Sequence, residues 1–138
     1  MTSQRFPIRL GVRSRPLLRL FGVGGPADAW VELSERAIEA RFGRFRALTP
    51  LSNIAGWRIE GPWRWITAIG VRMSVRHGDL TFGGSPHGGV RLDFVERVPV
   101  AWLRIPALYV TVDDLEGLAA ALTERGLSGV DARRRIVP

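Results

Sequence analysis

The hydropathy pattern of this chain changes period once, near residue 113, and that change limits the folds open to it. From Ala29 to Val112 apolar residues recur at every second position in short runs. Such alternation places one side of an extended segment in a core and the other in solvent, which marks half-buried strands. Beyond it, Leu115, Leu118, Ala119 and Leu122 recur at i, i+3, i+4 and i+7 and so share one face of a helix. A chain of short strands ending in one amphipathic helix has few compact solutions, and all of them put that helix against a sheet.

The strand runs are readable one by one. Val31 and Leu33 alternate with Trp30 and Glu32, and Ile38 and Phe42 lie opposite Ala37, Glu39 and Arg41. Ser34-Glu35 between them reads as a tight hairpin turn. Gly43 interrupts the pattern, Phe45 to Thr49 resumes it, and Pro50 turns the next residues into a bend. Further strands are expected at Ile54 to Glu60, around Val71 to Val75, at Leu80 to Phe82, at Val90 to Phe94 and at Leu108 to Val112. Pro99 to Pro106 reads as an irregular connection, because proline removes a ladder donor. The helix is expected over 113–125, with Asp113 as N-cap and Glu116 completing a capping box. Arg125 suits its negative end and Gly126 its left-handed termination, while Gly117 costs up to about 1 kcal/mol relative to alanine.

The ends differ from the middle. Residues 1–28 form a basic arm punctuated by Pro7, Pro16 and Pro26, expected to pack on the domain through Phe6, Ile8, Leu10 and Val12 and through Leu17 to Phe21. Residues 29–125 make the domain proper, and 126–138 a basic tail whose Arg133-Arg134-Arg135 reads as a solvated end. The expected class is mainly β (α+β): a bent antiparallel sheet or partly open barrel of about seven strands, closed by one C-terminal helix.

Charge and composition narrow the function. All 20 basic residues are arginine, and the formal net charge is +7. Residues 1–90 hold 13 arginines against 6 acids, a net of +7, whereas 91–125 hold 4 against 6, a net of −2. Such a field draws anionic partners without saying anything about fold. With no cysteine, disulfides, thiolate metal sites and cysteine nucleophiles are excluded. The apolar stretch Pro16 to Gly25 is too short to span a bilayer and is broken by Arg19, so neither a transmembrane segment nor a signal peptide is expected.

Several groups invite a chemical reading. Ser74, His77 and Asp79 hold the residue types of a hydrolytic triad but lack a nucleophile-elbow motif. His77 and His87, with Asp79 or Asp93, match no standard metal spacing. Gly83 to Gly89 lacks the Lys-Ser/Thr ending and following helix of a phosphate-binding loop and reads as a hairpin loop. The densest group is Arg41, Arg44, Arg46, Arg58, Trp63, Arg64 and Trp65, with Trp57 beside it, the first three on an expected neighbouring hairpin. Arginine forks bind phosphate, and indole rings stack on bases or sit at a lipid headgroup layer. In the plainer alternative, Trp57 and one of Trp63 or Trp65 are core, with arginine stems covering them.

The order of short strands closed by a C-terminal helix, over roughly residues 29–125, resembles the pleckstrin-homology-like (PH-like) fold. The phrases Arg41-Phe42-Gly43, Thr49-Pro50-Leu51-Ser52-Asn53, Gly61-Pro62-Trp63, Leu80-Thr81-Phe82-Gly83 and Val110-Thr111-Val112 look like a family of small actinobacterial proteins. That resemblance implies a cytoplasmic setting and no known activity. Phosphoinositide-binding members of the PH-like class use basic residues around the first hairpin loop. Here the matching turn, Ser34-Glu35, is short and acidic, so inositol-phosphate binding does not carry over.

The expected function is therefore a non-enzymatic binding module without a cofactor or bound metal. Its partner would be another protein or an anionic surface, either membrane headgroups or nucleic acid. A homo-oligomeric assembly protein, such as a homodimer burying Leu17 to Phe21 and exposed tryptophans, and a small enzyme with an unrecognised site are the alternatives.

Overall fold

A computed structural model of the chain describes residues 3–8, 28–60, 69–73, 80–84 and 88–132, the segments 69–73 and 80–84 as backbone strands. The described residues form two sheets and one α-helix. Strands β1 (Gln4–Pro7), β2 (Ala29–Leu33), β3 (Ala37–Phe42) and β4 (Phe45–Pro50) make an antiparallel four-stranded sheet in chain order. The second sheet has six strands: β5 (Ile54–Glu60), β6 (Ile69–Met73), β7 (Leu80–Gly84), β8 (Gly89–Val100), β9 (Leu103–Val110) and β10 (Gly129–Asp131). Their spatial order is β10-β5-β8-β9-β7-β6, with β7 parallel to β9 and β10 parallel to β5.

The alternation seen in sequence is the alternation of burial. Along β2, Ala29, Val31 and Leu33 are buried and Trp30 and Glu32 half-buried; along β3, Ile38, Ala40 and Phe42 are buried. A single core joins these residues to Leu92, Ile105, Leu108 and Val110 of the second sheet and to the helix α1 (Leu115–Glu124). The described residues are thus mainly β with one α-helix. Ten described strands replace the expected seven, and two pairings are parallel, which alternation alone does not distinguish from antiparallel ones.

Helix α1 packs on β5 and β8 through Leu115, Leu118, Ala119, Ala121 and Leu122. Each leucine so buried contributes about 1.5–3 kcal/mol. The helix starts one residue later than expected. Its N-cap is Asp114, whose carboxylate accepts from Gly117 N at 2.9 Å, while the Asp113 amide donates to Pro7 O at 2.8 Å. A Cβ at Gly117 would lie 2.1 Å from Asp114 Oδ2, so glycine fills this position without displacing the capping carboxylate from its present rotamer. The helix ends as expected. Gly126 takes φ +87°, its amide donates to Thr123 O, and Leu127 N donates to Leu122 O, the paired bonds of a Schellman motif. Arg125 then ties the helix end to the first sheet, donating to Ser34 O at 2.9 Å and to Gln4 Oε1 at 3.2 Å.

The segment Pro99 to Pro106 is a hairpin, not an irregular connection. Strand β8 runs through Pro99 to Val100, Ala101 and Trp102 turn the chain, and β9 carries Pro106. Both prolines sit where a missing donor costs nothing. Beyond Phe94, β8 has no strand partner on its β5 side among the described residues, so Pro99 lies on an edge there. Asp93 pairs with Ala107 and Val98 with Ile105, leaving 94–97 opposite Pro106 alone, a large bulge in which ladder bonds are already lost. Residues at both ends join the sheets: Phe6 and Ile8 are buried, Ile8 bridges Val112, and Gly129 pairs with Trp57.

Candidate functional site

The β3–β4 hairpin presents the arginines. Its period-2 burial sends Glu39 and Arg41 of β3, and Arg46 and Leu48 of β4, to the outer face of the four-stranded sheet. The connecting turn is Gly43-Arg44, with Gly43 at φ +60° and its amide donating to Asp28 O at 2.7 Å. Arg41 and Arg46 stand directly opposite each other. Like charges in that relation disfavour pairing by a few tenths of a kcal/mol. Glu39 relieves part of the repulsion by accepting from Arg46 Nε at 2.5 Å. Arg41 reaches only the Gly43 carbonyl, at 3.4 Å, and neither it nor Arg44 has an acidic partner among the described residues.

The same face continues across β2 and β1. Trp30 is the β2 neighbour of Arg41, and the Arg5 guanidinium lies 4.0 Å from the Trp30 ring centroid while donating to Glu32 at 2.9 and 3.1 Å. One side of Trp30 is therefore covered by its own chain.

Structure divides the residues that the sequence grouped. Arg41, Arg44 and Arg46 come together. Arg58 lies on β5, in the other sheet, exposed and 3.5 Å from Glu60 Oε2. The hairpin expected to neighbour Arg58 is thus in the opposite layer. Trp63, Arg64 and Trp65 fall outside the described residues, as do the triad types Ser74, His77 and Asp79, together with His87. Trp57 is a packed residue: it contacts the core, and its Nε1 donates to Leu127 O at 3.3 Å. Among the described residues no cluster of three or more histidine, aspartate or glutamate side chains could hold a metal ion.

Sequence reasoning missed Trp102. It sits at the β8–β9 turn with 82% of its surface exposed, more than Val95 at 67% or Leu48 at 47%. Phe45, packed on the core beside Arg44, meets it edge-on with ring centroids 6.4 Å apart. The preceding residue, Ala101, has φ +52°, a conformation that costs a non-glycine residue roughly 1 kcal/mol. A lone tryptophan between two prolines carries no periodic signal, and only the exposed, strained turn reveals it.

A groove of about 470 Å³ runs between β4 and the β8 bulge, lined by Leu48, Pro50, Asn53, Val95 and Pro99 among others. Asn53 shapes it. Its amide donates to Glu96 O at 2.9 Å and to Thr49 Oγ1 at 3.0 Å, while its oxygen accepts from Glu96 N at 2.8 Å. One side chain thus supplies both bonds that a partner strand would offer the bulge.

A second polar group lies on the outer face of the six-stranded sheet. Arg58, Arg91 and Tyr109 form one cross-strand row. The Tyr109 hydroxyl donates to Glu60 Oε1 at 2.6 Å and accepts from Arg91 Nη1 at 3.1 Å, and Arg91 Nε donates to Asp93 at 2.7 Å. Although desolvation opposes its charge, bonds to Asp93 and Tyr109 hold the Arg91 guanidinium above its ordinary value. Burial, followed by the bond to Glu60, pushes the Tyr109 phenol up to about 12. Tyr109 is the only tyrosine in the chain, so its ionisation is directly observable. Tyrosinate absorbance should rise with a midpoint near 12, not near the usual value of about 10. The folded phenol holds its proton more tightly than the unfolded one. Its contribution is therefore complete below about pH 10 and is lost as pH rises towards 12. Tyr109→Phe should remove that part of the alkaline loss of stability; an unshifted midpoint in the wild-type protein would contradict the bonded geometry.

Comparison of the chain with protein-family models, with curated proteins and with solved structures returns no match. No helix among the described residues is long and apolar enough to cross a membrane.

Proposed function

We propose that this chain is a non-enzymatic binding module that docks an anion-bearing partner on the outer face of its four-stranded sheet. The carrying observation is the facing pair Arg41 and Arg46 with Arg44 at the adjoining turn, two of the three lacking an acidic partner among the described residues. A fold that keeps like charges opposite each other on an exposed face gains stability when an anion bridges them. The proposed architecture is PH-like, supported by two sheets followed by one capped helix; ten strands and two parallel pairings depart from the expected form.

The test is binding to vesicles containing phosphatidylserine and to single-stranded oligonucleotides, at low and moderate salt. Wild-type protein should bind at least one of these at low salt and release it as salt rises. The double reversal Arg41→Glu/Arg44→Glu should weaken binding about tenfold or more, since each basic residue at an anionic surface contributes roughly 1 kcal/mol. The carboxylate introduced at position 41 would face Arg46 and keep the hairpin paired. Failure of the wild-type protein to bind any anionic probe at low salt would remove the proposal. A second reading, self-assembly, is favoured by Leu48 and Val95 exposed on the two sides of the groove. Light scattering that shows only monomer at high concentration would exclude it.

A further inference from the structure

Resting on that reading, we infer that the anionic partner is a lipid bilayer, and that Trp102, braced by Phe45 at the meeting of the β3–β4 and β8–β9 turns, is the group that enters its interface. The two turns bring aromatic surface and unpaired positive charge to one end of the molecule. Arg44 immediately precedes Phe45, Arg41 folds back on the Gly43 carbonyl, and Arg104 lies two residues beyond Trp102. All three are exposed and none has an acidic partner among the described residues. Arg97 adds a fourth charge behind the tip, donating to Arg104 O at 3.3 Å. Asp28 lies beside the Gly43 turn, its backbone carbonyl accepting from Gly43 N at 2.7 Å.

The shape of the aromatic pair separates a bilayer from a nucleic acid. Bases stack on aromatic platforms inside basic grooves. Trp30, the tryptophan within the arginine face, is already covered by Arg5 on one side. Trp102 projects from a two-residue turn, where a large amphipathic ring meets solvent almost entirely. A ring of this kind gains by lying at the boundary between headgroups and acyl chains, with its N–H directed to water. Flanking arginines meet anionic headgroups at the same depth. Phe45 is anchored in the core, and Ala101 holds a φ of +52°, so the ring is presented by a constrained turn. Strain retained at an exposed tip is consistent with a binding role for that tip.

The experiment compares wild-type protein, Trp102→Ala and Arg41→Glu/Arg44→Glu in sedimentation with three probes. These are vesicles of phosphatidylcholine alone, vesicles with a quarter phosphatidylserine, and a single-stranded oligonucleotide. Wild type should sediment with the anionic vesicles and not with the neutral ones, and its tryptophan emission should shift to the blue on binding. Trp102→Ala should lose about tenfold or more in vesicle affinity together with most of that blue shift. Because the ring is so exposed, thermal unfolding of this variant should match wild type, which separates lost insertion from lost folding. Wild-type affinity for anionic vesicles in Trp102→Ala would overturn the inference while leaving the arginine face standing, provided the double reversal still weakens binding. Binding to the oligonucleotide but not to anionic vesicles would also overturn it. Absence of binding to every anionic probe by the wild type would overturn both readings.

Discussion

Replacing Leu118 with alanine should destabilise the fold by about 3 kcal/mol, within the 2–5 kcal/mol range for truncating a fully buried leucine. Leu118 is completely buried at the middle of α1, where the helix packs on β5 and β8. The side chain lost is a knob between a helix and a sheet, and neither can close the gap cheaply: the chain is tied at the helix start by the Asp113 amide to Pro7 O and at its end by Arg125 to Ser34 O. The cost should therefore approach the cavity-limited value, since little relaxation is open to the site. Denaturant unfolding followed by circular dichroism measures it. Trp102→Ala provides the internal contrast, removing a larger side chain with little loss because that ring is exposed. A loss below 1 kcal/mol for Leu118→Ala would mean that the helix is not a closing element of the core.

Gly129→Ala should cost about 1–3 kcal/mol, the usual penalty for forcing extra volume into a packed place. A Cβ on Gly129 would lie 2.2 Å from both Trp57 O and Trp57 Cδ2. The first of these is backbone in β5 and cannot yield without disturbing its pairing with β8. The added methyl should dislodge β10 and break the bonds from Trp57 N to Ser128 O and from Trp57 Nε1 to Leu127 O. Two readouts follow: a lower unfolding midpoint and a red-shifted Trp57 emission as the indole gains water. An unchanged midpoint with unchanged emission would mean that β10 contributes nothing to the sheet.

These cases show what sequence could and could not reveal. Strands β2 to β5 were legible because each buries one side in one core, so solvent and core imprint a period of two. The helix was legible from Leu115, Leu118 and Leu122, yet its cap moved by one residue. The Asp113 amide donates instead to Pro7 O, more than a hundred positions away, a tertiary contact that local pattern does not name. The β8–β9 hairpin was hidden because prolines usually end strands, and whether a given proline lies on an edge depends on neighbours that local pattern does not name. The site divided for the same reason. Arg41, Arg44 and Arg46 share one hairpin and stayed together, whereas Arg58 is near them in sequence and lies in the other sheet. The network of Glu60, Arg91, Asp93 and Tyr109 spans three strands and has no local signature.

The ties that close the domain also set when it can be completed during synthesis. Ile8 meets Val112, Arg125 bonds Gln4 and Ser34, and β5 acquires its parallel neighbour only from residues 129–131. The early hairpins can pair while the ribosome is still at work, but the sheet edges they leave open wait for residues 112–131. A nascent chain halted before Val112 has strands without a lid, and binding by ribosome-associated chaperones should persist until α1 has emerged.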